Sequence, residues 1–206
     1  MEQHVTFPCR DLELEGLWAA LSPTSAAIIT HPHPQYGGDM HNPVVETISK
    51  AYRNNGWSTL RFNFRGTGNS QGRFDNGIGE QEDLAAAIAF LKDKGIADIE
   101  LAGYSFGAWV LALHARRTSD HLIPMRFIAP PVAFIDFEPV QPMGGLQQVI
   151  LGQWDELAPV SRCETMAARW NPQADISVID QADHFFWNQM DRLQLILEAN
   201  LPDKNN

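Results

Sequence analysis

Cysteine is scarce in this 206-residue chain: only Cys9 and Cys163 are present, far apart and outside any metal-ligand spacing. That excludes a disulfide-rich scaffold and a cysteine-based zinc site, and it reads as two free thiols in a reducing compartment. Charge is sparse as well. Only 19% of residues are charged, and 25 acids against 15 lysines and arginines give a formal net charge of −10. Nucleic acids and anionic membranes are bound by basic patches, so neither is an expected partner. No apolar run approaches the ~20 residues that span a bilayer. The opening residues Met1-Glu2-Gln3-His4-Val5 hold neither a basic nor an apolar segment. No secretory leader is therefore expected, and the cytoplasm is the default location. Repeats and low-complexity tracts are missing too.

What is present suits a core. Apolar residues make up 44% of the chain, and the length fits one domain over residues 1–206. Short apolar runs alternate with helical periods, the pattern of a mostly parallel sheet with helices on both faces. The first twenty residues predict an antiparallel pair. Strands are expected at Ala26–Thr30, Trp57–Phe64, Ile96–Ala102, Met125–Ala129, Gln147–Leu151 and Ile176–Ile179. Helices are expected at Pro43–Asn55, Glu80–Lys94, Phe106–Arg117, Pro159–Trp170 and Phe185–Leu201. Pro130 to Leu146 is the one stretch long enough for an insertion, and it has no helical pattern, so no substantial cap domain is expected.

The pentad Gly103-Tyr104-Ser105-Phe106-Gly107 lies between an apolar strand and a helix. There it reads as a nucleophile elbow, a sharp turn that presents a serine at a helix N-terminus. Alone, it reads equally well as a glycine-rich turn with a capping serine. A serine hydroxyl needs a base, and in this arrangement the acid and then the histidine follow the serine. His184, just after the last strand, is the candidate base; His114 and His121 are poorly placed. Asp155, after the strand ending at Leu151, is the candidate acid, with Glu156, Asp180, Asp183 and Asp136 as competitors. Its task is to hold the imidazole tautomer and stabilise the imidazolium.

An oxyanion needs two N–H donors. Phe106 is one candidate. The other lies in His31-Pro32-His33-Pro34-Gln35-Tyr36-Gly37-Gly38, where His33 is preferred over Gln35 and Tyr36, the prolines having no N–H. His31, His33, Asp39 and His41 also suggest a metal site, but no second ligand cluster accompanies them, and no metal or other cofactor is expected. Arg65 to Gly72 lacks the ending of a phosphate-binding loop and reads as a structural turn. Tyr36, Trp154 and Phe185 are candidate substrate contacts, the last two because they flank Asp155 and His184.

The blocks HPHPQYGGDMHNPVV, LRFNFRGTGNSQGRFDNGIGE, LAGYSFGAW, GQWDE and ADHFF occur in order from His31 to Phe186. Together they resemble a family of small, lidless bacterial α/β-hydrolases. The resemblance implies the α/β-hydrolase fold, a Ser105–Asp155–His184 triad and serine-hydrolase activity. That family is similar to dienelactone hydrolases, short-chain esterases and serine peptidases alike. The expected activity is hydrolysis of small carboxylic esters through an acyl-enzyme. A peptidase or thioesterase, or a non-catalytic binding protein on the same fold, is the alternative. The expected partner is a small-molecule substrate, and a homodimer is left open.

Overall fold

The computed structural model describes residues 1–117, 122–138 and 142–205. Among these residues eight strands form one sheet: β1 (Gln3–Cys9), β2 (Leu12–Ala19), β3 (Ser25–Thr30), β4 (Ser58–Phe62), β5 (Asp98–Tyr104), β6 (Met125–Ile128), β7 (Leu146–Gly152) and β8 (Asp175–Ile179). Their order is β1-β2-β4-β3-β5-β6-β7-β8. The β1–β2 and β2–β4 pairs are antiparallel and the rest parallel. Among the described residues five α-helices join them: α1 (Pro43–Asn54), α2 (Glu80–Asp93), α3 (Phe106–Arg117), α4 (Val160–Trp170) and α5 (Met190–Asn200). Every residue of β3 and β4 is buried, as expected for strands covered on both faces.

Handedness distributes the helices. The chain leaves β3 through α1 toward the β1 edge, and leaves β5 through α3 toward the β8 edge. Right-handed crossovers in opposite directions put α1 and α3 on opposite faces. Helix α5 packs on α1, and α2 on α3. The reversal falls between β3 and β5, so the loops after these two strands diverge and leave a crevice at their carboxyl ends, where ligands of open α/β sheets bind.

Local chemistry sets the helix ends. The Asn42 side chain accepts from the Val44 N–H at the start of α1, and Pro43 occupies its first turn. At its end Gly56 (φ +81°) donates to the Arg53 carbonyl, and Trp57 donates back to Tyr52. The Tyr52 and Trp57 rings meet edge-on, 5.7 Å apart, and complete the glycine-terminated cap.

Most boundaries move by one or two residues from expectation, and three of the shifts have a local cause. The closing helix starts at Met190, not Phe185. Asp183 Oδ1 accepts from the N–H groups of Phe185 and Trp187, and Phe186 and Asn188 adopt positive φ. This side-chain-bonded turn displaces a helical one. β5 starts at Asp98 because Ile96 N–H still closes α2 on Leu91. β4 stops at Phe62 because the next two N–H groups go to the Glu15 carbonyl and to His31 Nε2. Among the described residues of the Pro130–Leu146 stretch there is no helix; residues 139–141 of it, like His121, lie outside the described set. The loop from Arg65 is pinned by the Arg65–Asp83 pair and by Gln71 N–H on the Glu13 carbonyl.

Candidate active site

Ser105 sits between the last residue of β5 and the first of α3, with φ +53°. For a residue with a Cβ this left-handed conformation costs about 1 to 2 kcal/mol, and packing must hold it. The flanking glycines show how. A Cβ on Gly103 would stand 2.6 Å from the Ala108 nitrogen, and one on Gly107 would stand 2.6 Å from the Thr30 carbonyl oxygen. Only glycine lets α3 turn back this closely over β5 and β3. The Ser105 N–H donates to the Ile128 carbonyl, which ties the turn to β6.

Two other loops bring side chains to this hydroxyl. Ser105 Oγ lies 3.0 Å from His184 Nε2, and His184 Nδ1 lies 2.8 Å from Asp155 Oδ2. A carboxylate only accepts, so Nδ1–H donates to Asp155, and Nε2 is left to accept from the serine hydroxyl. Asp155 Oδ1 accepts from the N–H groups of Leu157 and Ala158, both at 2.8 Å. All three side chains are buried. Of the competing acids, Asp183 is occupied by its own turn and Asp136 by the Glu138 N–H. Glu156 and Asp180 are exposed.

Tyr104 carried no signal in the sequence, where it fills a variable position of the pentad. Its buried hydroxyl donates to the His184 carbonyl at 3.0 Å, and its ring lies 5.7 Å from the imidazole. It therefore holds the histidine loop against β5. Tyr104→Phe is expected to lower kcat for ester hydrolysis about fivefold with little change in KM, because one buried hydrogen bond is lost while the fold stays. Steady-state kinetics beside a melting curve check this; an unchanged kcat contradicts it.

The loop after β3 separates its two histidines. His31 is fully buried; its Nδ1 donates to the Pro32 carbonyl and its Nε2 accepts from Phe64 N–H, so both nitrogens are used in the neutral form. Burial lowers its pKa to about 4. An unfolded chain binds this proton near pH 6.5, so the contribution to stability is complete above that pH and is lost as pH falls toward 4. The loss is at most about 3 kcal/mol. Denaturant midpoints at pH 7 and 4.5 should differ less in His31→Gln than in the parent; equal differences contradict this account.

His33 packs between Tyr36, Phe74 and Phe106, centroids 4.8–4.9 Å away, and burial lowers its pKa as well. Its Nδ1 accepts from Gln35 N–H, and its carbonyl accepts from Tyr36 N–H. The N–H groups of Gln35 and Tyr36 are thus already committed within the turn. Asp39 is occupied by His41 N–H. Among the described residues no three His, Cys, Asp or Glu side chains are grouped to hold a metal ion.

A cleft of about 380 Å³ opens over Ser105 and His184. Tyr36 and Phe185 line it, as do Phe106 and His33. Trp154 does not, contrary to expectation. Its N–H is fixed on the Ala182 carbonyl and its ring is 61% exposed. Leu157, from the same turn, lines the cleft instead, together with Pro131, Phe134 and Ile135.

No protein-family model matches the chain. An uncharacterised protein of Rickettsia prowazekii is 37% identical over 84% of this chain and 77% of its own length. Among solved structures, an α/β serine hydrolase homologue from Coxiella burnetii is 34% identical, with a TM-score of 0.89 and 97% of both chains covered. A lidless α/β serine hydrolase from Xanthomonas campestris is 31% identical, with a TM-score of 0.86 over 96% of this chain and 92% of its own. The sheet with its helices is the α/β-hydrolase fold, and the chain belongs to the α/β serine hydrolase family.

Proposed function

We propose that this protein hydrolyses small carboxylic esters through a covalent acyl-enzyme on Ser105. The observation that carries the reading is the unbroken hydrogen-bonded relay from Ser105 Oγ through His184 to Asp155. Ser105 Oγ attacks the ester carbonyl while its proton passes to His184 Nε2, and Asp155 balances the imidazolium. The N–H groups of Phe106 and His33 receive the oxyanion. His33 is preferred in its loop because the turn has already taken the N–H groups of Gln35 and Tyr36. Collapse breaks the bond to the alcohol oxygen, which leaves with the proton from His184. Water then attacks the acyl-enzyme, giving its proton to His184, and the acid departs with Ser105 restored. The N-terminus of α3 adds partial positive charge where the oxyanion develops.

A fluorophosphonate probe applied to the folded protein tests this. Labelling is expected on Ser105, and unfolding or His184→Ala is expected to suppress it. An unlabelled folded protein would mean a binding protein on a hydrolase fold.

A further inference from the structure

Three exposed aromatic rings stand around the mouth of the Ser105 cleft, each from a different loop. Tyr36 follows β3, Phe134 follows β6 and Phe185 follows β8, and they are 75%, 53% and 54% exposed. Tyr36 and Phe134 meet edge-on with centroids 5.9 Å apart, and Phe185 stands edge-on to the His184 imidazole at 5.5 Å. Large apolar rings gathered at the lip of a cleft are costly in water unless something covers them, and such a patch marks a binding surface.

The charge pattern of the same cleft narrows what fits. Among the described residues lining it there is no Lys, Arg, Asp or Glu. Several polar atoms of its lining are already engaged: Asn42 Oδ1 with Val44 N–H, the Tyr104 hydroxyl with the His184 carbonyl, and His33 Nδ1 with Gln35 N–H. Two acids adjoin it, Asp155 behind the imidazole and Asp183 at the base of the Phe185 turn. A carboxylate carried in on a substrate would shed water, meet no cation and face these acids.

Resting on the Ser105 reading above, we propose that the cleft selects uncharged aryl esters, whose ring seats among Tyr36, Phe134 and Phe185, and discriminates against esters bearing a free carboxylate. Phenyl acetate against 4-acetoxybenzoate is a suitable pair, because the carboxylate-bearing ester has a leaving group no worse than phenol. After correction for their hydroxide rates, kcat/KM is expected to favour phenyl acetate about a hundredfold. Phe134→Arg puts a cation on the wall at an exposed position and is expected to shift that ratio about tenfold toward 4-acetoxybenzoate. Fluorophosphonate labelling of each protein reports the nucleophile separately. With labelling intact, equal hydrolysis of the two esters, or a ratio unmoved in Phe134→Arg, overturns the proposal. A two-chain mass in solution without aryl preference would also overturn it, since the rings would then be sealing a dimer. Absent labelling removes the Ser105 reading and this proposal with it.

Discussion

Ser105→Ala is expected to lower kcat for p-nitrophenyl acetate hydrolysis by about five to six orders of magnitude. The methyl group cannot form the acyl-enzyme, and what remains is whatever binding and the Phe106 and His33 N–H groups can do for attack by water. His184→Ala should fall nearly as far, because the serine and the imidazole act as one unit across their 3.0 Å contact. The melting temperature should hardly change, since the Ser105 backbone is held by Ile128 and by the packing around Gly103 and Gly107 rather than by its hydroxyl. Circular dichroism beside stopped-flow assays checks both halves. A variant retaining a tenth of the parent activity contradicts the assigned nucleophile.

Arg126→Met is expected to lower stability by about 3 to 5 kcal/mol. Glu100 on β5 and Arg126 on β6 form a buried ion pair beneath α1. The Tyr52 hydroxyl donates to Glu100 Oε2 at 2.9 Å, and Arg126 donates to the Asn200 carbonyl at 2.9 Å. The pair thus links the sheet to α1 and to the end of α5. Removing the arginine leaves a carboxylate with no cation in a dry site, which costs more than the pair contributes. Adding Glu100→Gln should recover much of the loss, because the uncompensated charge disappears. Urea unfolding of the parent, the two single variants and the double variant measures this coupling; additive losses contradict it.

Much of this was legible because local and global signals agree. Gly103 to Gly107 between an apolar run and a helical period describes the turn that the packing later requires. The spacing of Asp155 and His184 after their strands placed both at the carboxyl edge of the sheet. Other features depend on contacts no local pattern reports. Glu100 and Arg126 each interrupt an apolar run, and only the parallel pairing of β5 with β6 makes them neighbours. Tyr104 matters through a carbonyl eighty residues away. Phe185 fits the apolar period of the closing helix, and only the bonds of Asp183 Oδ1 to the N–H groups of Phe185 and Trp187 turn the chain there. Trp154 looked like a pocket residue from its place beside Asp155, but the N–H tie to Ala182 leaves its ring in water.

The central claim is chemical, and trapping the intermediate tests it most directly. Protein mixed with p-nitrophenyl acetate, quenched in acid during the burst and digested, should carry one acetyl group on the peptide containing Ser105, and none in His184→Ala. Turnover that continues with that peptide unmodified, or with the acetyl group on another side chain, would contradict it.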